Sequence, residues 1–286
     1  MRIPPRFFSR MSAALAGVLS LLFLALPVHA GNIVITGHDD DFHSTVDNSA
    51  AADAAMSAFA NFTRSGAPNS NAPVLIFDHG TELTTQMTKL GIPFTNVDPN
   101  AGPINTSSFD ANRFSAFIVA SDTTVGGGDN DSTSSANLST PAVKSAIASF
   151  FNSGGGIVGL AGATNTHYYD FLPASASSPG TVTNPNGFTQ TPAGAALKLP
   201  AVNGDFPHNF FSFPGTGGVD PHWIVTETYT GDSSVGPLTN QPFTLAIAGG
   251  SISGGGFASP IPEPATIVLT LLGFGGSAAF ARFRRK

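Results

Sequence analysis

The sequence predicts an α/β domain of three layers, a mainly parallel sheet covered by helices on both faces. A signal helix precedes this domain and a C-terminal transmembrane helix follows it. Three observations predict this layout. Short apolar runs between Gly31 and Gly162 are continuous rather than alternating, as strands buried on both faces require. Stretches with apolar residues at helical spacing separate them. Apolar segments with arginines beside them stand at both ends of the chain.

Taken in order, Asn32 to Thr36 is the first strand. Ala52, Ala55, Met56, Phe59 and Ala60 then recur on one helical face, and Gly66 stops that helix. Val74 to Phe77 is the second strand. Thr81 is placed to cap a helix whose Leu83, Met87 and Leu90 share a face, ended by Gly91 and Pro93. Ala116 to Ala120 is the third strand. Thr140-Pro141 opens a helix with Val143, Ile147 and Phe150 inward and Gly154 at its end. Ile157 to Leu160 is the fourth strand. Strands separated by helices in this way read as a doubly wound, flavodoxin-like sandwich over residues 31–248. Beyond residue 165 the pattern is looser. Only His222 to Tyr229 and Phe243 to Ile247 read as strands, and residues 249–261 read as a linker.

Composition narrows the function. The chain has 286 residues, with 12 basic against 18 acidic ones and no cysteine. Arg2, Arg6 and Arg10 precede the first apolar run, and Arg282, Arg284, Arg285 and Lys286 end the chain. The five remaining basic residues face all 18 acids, an excess of 13 negative charges. Such a body does not neutralise phosphates, so nucleic-acid binding is excluded. The absence of cysteine excludes a disulfide scaffold, a thiol nucleophile and Cys-ligated metals.

Both termini read as addresses. Ala13 to Leu26 is apolar, and Val28 and Ala30 suit the −3 and −1 positions of a signal-peptidase site, so residues 1–30 form a signal peptide cleaved between Ala30 and Gly31. Pro262-Glu263-Pro264 is followed by an apolar stretch from Ala265 to Ala281, roughly 25 Å long as a helix, the lower limit for spanning a bilayer. The basic tail after it stays cytoplasmic. Pro262, Glu263 and Pro264 with this helix and tail resemble the PEP-CTERM sorting signal of Gram-negative bacteria over residues 262–286. That resemblance implies processing by an exosortase, passage through the inner membrane, and a final place at the cell surface, in the outer membrane or outside the cell. It also implies association with exopolysaccharide.

In open parallel sheets ligands bind beyond the strand carboxyl ends, and polar residues gather there. His38, Asp39, Asp41 and His43 follow the first strand, Asp78 and His79 the second, and His167 the fourth. His38, Asp39, Asp41, His43, Asp78, His79 and His208 are therefore the candidates for binding a ligand or a divalent metal. The competing reading of the first group is that its acids cap the next helix. Gly126 to Ser132 carries alternating oxygen donors but no distal glutamate, and reads as a solvated turn. Phe206, Phe210, Phe211 and Phe213 read as core, with sugar stacking as the alternative.

Ser153 to Ala163, a helix end, glycines, an apolar strand and a tight turn, resembles the class I glutamine amidotransferase-like fold, in particular its ThuA-like branch. Ile33 to His38 is similar to the opening of that branch. The family places a cysteine, or in this branch often a histidine, on the turn after the strand; this chain has Ala161. A methyl group attacks no carbonyl and binds no metal, so the family's ammonia-generating chemistry is excluded. The expectation is a non-catalytic binding or structural protein. The alternative is a metal-assisted hydrolase or sugar-modifying enzyme at the strand carboxyl ends, with no catalytic residue assigned.

Overall fold

A computed structural model of the protein describes residues 30–123, 129–172, 176–182, 184–204, 209–212, 222–253 and 256–258. The signal helix, the Pro262-Glu263-Pro264 motif with its transmembrane helix, His208, Phe206 and Phe213 lie outside the described residues. Among the described residues no helix is long and apolar enough to cross a membrane.

Strands β1 (Asn32–Thr36), β2 (Val74–Phe77), β3 (Phe94–Val97), β4 (Ala116–Val119) and β5 (Gly156–Gly159) pair in parallel, in the spatial order β3-β2-β4-β5-β1. Four of them are the predicted runs. β3 escapes prediction because Thr95 and Asn96 are exposed at the sheet edge, so it lacks the signature of a strand buried on both faces.

Alternate residues of each strand enter opposite core layers, since successive side chains point to opposite faces. Ile33, Ile35, Leu75, Phe77, Phe117 and Val119 join one layer, and Val34, Val74, Ile76, Ile118 and Val158 the other. The second layer is closed by Met56 and Phe59 of α2 (Ala50–Ser65, after the short α1, Asp40–Val46) and by Leu83 and Met87 of α3 (Glu82–Lys89). The first is closed by Leu138 of α4 (Ser132–Leu138) and by Val143, Ile147 and Phe150 of α5 (Pro141–Asn152). Ser49 and Thr140 cap α2 and α5 with their side chains, whereas Thr81 precedes α3 without a side-chain cap bond.

In the first half of the domain two helices stand where loops were expected. Asp40, Asp41 and His43 lie on α1, a single short element whose seven residues give too few turns for a periodic signal. Asp131 caps α4 with a capping box to Ser134, and no apolar stripe in its serine-rich sequence announces it.

The second half extends the sheet. β6 (Ser177–Gly180) pairs with β8 (Phe210–Ser212) in a separate two-stranded sheet. β7 (Phe188–Gln190) is followed by α6 (Pro192–Leu197). β10 (Leu238–Ala248) lies antiparallel to β1, with Thr36 opposite Thr244, and β9 (Ile224–Gly231) and β7 continue outward. The sheet therefore has eight strands, four parallel pairings and three antiparallel ones. It fits a flavodoxin-like architecture in which the chain's first strand fills the outermost place of the parallel block. Within the stretch expected as linker, β11 (Ser251–Ser253) and β12 (Gly256–Ala258) pair antiparallel, and β11 is tied to α5 by two bonds between Asn152 and the Ile252 backbone.

Candidate functional site

The chain steps outward from β2 to β3 and then back across β2 to β4, so the connections diverge above the carboxyl ends of β2 and β4. In an open sheet that divergence opens a crevice. Here Asn130 fills it. Its Nδ2 donates to the carbonyls of Phe77 at 3.0 Å and Ala120 at 3.2 Å, and its Oδ1 accepts from the His79 amide at 3.2 Å. The Tyr168 hydroxyl lies 3.5 Å from the same Nδ2, and burial raises its pKa well above that of a free phenol.

Three carboxyl groups close around this plug. Asp41 of α1 accepts from the Ser121 amide at 2.8 Å and the Ser121 hydroxyl at 2.7 Å. Burial nevertheless raises its pKa to about 6, those two hydrogen bonds offsetting only part of the effect. Asp78 accepts from the Gly80 and Thr84 amides, and Asp129 from the Glu82 amide. Burial raises Asp78 to about 8, with the hydrogen bond and charge of Asp129 adding to it. Asp129 and Asn130 are buried, which corrects the reading of their segment as a solvated turn.

His38, His43, His79 and His167 do not converge. His38 is fully buried, with Nε2 3.1 Å from Glu227 Oε2 and its ring beside Phe188 and Phe243. His43 is held within α1 between Asp47, at 2.6 Å, and Asp39, at 3.4 Å. His79 is exposed and pairs with Asp98 beyond β3 at 2.9 Å. His167 is also exposed and pairs with Asp170 at 3.0 Å. β5 and β4 separate β1 from β2, so His38 and His79 leave strands about 14 Å apart, and their partners draw them in opposite directions along the sheet. A first shell shared by His38 and His79 is therefore excluded. Among the described residues no group of three or more His, Asp or Glu is arranged to hold a metal ion.

The turn after β5 is equally closed. Ala161 is buried; its amide donates to the His38 carbonyl at 3.0 Å, and its carbonyl accepts from Asp122 at 2.9 Å. The Tyr169 hydroxyl lies 2.8 Å from the Thr36 carbonyl and 2.9 Å from that of Leu160, and accepts from the Gly162 amide at 3.1 Å. A Cβ on Gly162 would stand 2.5 Å from Tyr168 Cβ. A side chain added at Gly162 would therefore run into Tyr168. Phe210, Phe211 and Trp223 are core residues.

Glu227, Ser121, Tyr168 and Tyr169 carry this end of the molecule without having been singled out in the sequence, and Asp129 and Asn130 entered it only as part of a turn. Of the first four, Glu227 had a local signal, an acid within a predicted strand.

These features define an α/β protein whose strand carboxyl ends are packed with polar groups bonded to one another. Its C-terminal residues 260–286 match the PEP-CTERM protein-sorting motif, which marks an exported protein sorted by an exosortase and placed outside the inner membrane, at the surface or beyond it. No curated protein and no solved structure matches the chain.

Proposed function

We propose that residues 31–248 are the non-catalytic passenger of this sorting system, a binding or structural protein of the cell surface associated with exopolysaccharide. One observation carries the reading: Ala161, where an amidotransferase-like enzyme would present its nucleophile, is buried and offers only a methyl group, and the amide of the next residue donates to Tyr169. The order of helix end, glycines, strand and turn from Ser153 to Ala163 supports descent from such a domain, with its chemistry lost. The metal-assisted alternative lacks a converging donor set among the described residues.

Signal peptidase then cuts between Ala30 and Gly31. In the structure the Gly31 amide donates to the Phe151 carbonyl at 2.8 Å, so the new α-amino group would have an acceptor waiting. The exosortase acts at Pro262-Glu263-Pro264, and the apolar helix after it holds the chain in the membrane until then.

The test is fractionation of cells expressing the wild type and Glu263→Ala, with co-sedimentation of the released protein on the cells' own exopolysaccharide. The expected result is release and polysaccharide binding for the wild type, and membrane retention with an intact tail for the variant. Identical processing of the two would overturn the sorting role of the motif. Release without polysaccharide binding would overturn the passenger's role.

A further inference from the structure

Two buried carboxyl groups converge on one turn of backbone. Asp78 Oδ1 accepts from the Gly80 amide at 3.1 Å and Oδ2 from the Thr84 amide at 2.9 Å, while Asp129 Oδ2 accepts from the Glu82 amide at 2.6 Å. Between them they satisfy first-turn donors of α3 that no residue of the helix itself can satisfy. Gly80 makes the approach possible, since a Cβ there would lie 1.6 Å from Asp129 Oδ1. The two carboxyls thus meet at Gly80, where two unprotonated groups would set like charges side by side in a buried site, and a proton on one of them lets it donate instead of repel.

The groups facing the pair supply no positive charge to replace that proton. Asp41 of α1 adds a further negative charge. Glu82, at the start of α3, accepts from the Thr81 amide, and His79 is turned outward onto Asp98. Among the described residues neither Asp78 nor Asp129 pairs with Lys or Arg.

We propose that Asp78 and Asp129 form a proton-operated latch, which fastens the Asp129–Asp131 connection to the N-terminus of α3 while one proton is shared and loosens it when that proton leaves. Deprotonation sets two carboxylates side by side in a buried site, which like charges disfavour. The strain reaches Asn130, which plugs the crevice, and Asp131, which caps α4. Burial places the change near mildly alkaline pH, about 8 for Asp78. From the ordinary carboxyl value of 3.8 up to about 8 the folded state holds a proton that the unfolded chain has released, so stability falls as pH rises through this window. The parallel strands beneath carry no ionisable residue.

The test is hydrogen exchange of the Glu82 and Thr84 amides in the full chain, corrected for base catalysis, from about pH 6 to about pH 9. In the wild type their protection should fall by about tenfold or more, while the amides of β4 keep theirs. Asp129→Asn, whose amide donates at every pH, should abolish the dependence. An equal loss in wild type and variant would overturn the latch. Should the variant fail to fold, the carboxyl carbon of Asp78 in the wild type decides: a titration midpoint well above 3.8 supports the latch, and an ordinary midpoint overturns it.

Discussion

His38 and Glu227 stand 189 residues apart in the chain and 3.1 Å apart in the fold, and neither side chain meets solvent. Glu227 Oε2 also accepts from the Thr244 hydroxyl at 2.5 Å, and Oε1 from the Val202 amide at 2.7 Å. Thr244 in turn lies 2.9 Å from Thr36 across the β1–β10 pairing. The contact therefore joins the end of the parallel block to the antiparallel extension. A buried carboxylate is tolerated because it is paired and hydrogen-bonded from several sides.

Removing Glu227 should be severe. Glu227→Ala strips partners from His38, Thr244 and the Val202 amide at once, with an expected loss of about 3–5 kcal/mol. Glu227→Gln keeps an acceptor for Val202 and should lose less. Urea unfolding measures both. A cost below about 1 kcal/mol for the alanine variant would mean that the seam is held by its apolar contacts alone.

Asp41 should make stability fall with pH in the acid range. Its folded pKa is raised to about 6 from 3.8. Between those values the folded state binds a proton that the unfolded state has lost, so the group's contribution is full below about pH 4 and gone above about pH 6, a difference of up to about 3 kcal/mol. Asp41→Asn should remove this part of the slope, read as unfolding midpoint against pH. A slope unchanged in the variant would assign it to other groups.

The closed turn after β5 can be probed with a single thiol, because the chain has no cysteine of its own. In Ala161→Cys the introduced thiol should react with a disulfide reagent at least about a hundredfold more slowly in the native protein than in urea. Fast native labelling would show that the position opens to solvent, and would revive the enzyme reading.

Lys198 ends α6 with φ 59°, in the left-handed region where a side chain is disfavoured, and it is exposed. Lys198→Gly should stabilise the fold by about 1 kcal/mol. An unchanged unfolding midpoint would mean that the Lys198 side chain contributes as much as the backbone strain costs.

Much of the body was legible. β1, β2, β4 and β5 fall on the predicted runs because strands buried on both faces must be apolar throughout, and α2, α3 and α5 because each shows one apolar stripe. α1, α4 and β3 were not legible: two are single short helices and one is a half-exposed edge strand. At the site, the crowding of polar residues after the strands was visible, but their partners were not. His38 resembled a ligand in sequence and turned out to be half of a buried pair whose other half is on β9.

By itself the sequence determined the alternation of strands and helices, the lack of a thiol nucleophile and the signal that sends the protein across the inner membrane. Each of these is local, written in residue type and in spacings of a few positions. Only the tertiary structure decided that the chain adds β10, β9 and β7 antiparallel to β1, that Asn130 and Tyr168 plug the crevice, and that the carboxylates and histidines bond to one another. Those outcomes depend on which distant segments meet, and on the cost of burying a charge without a partner once they do.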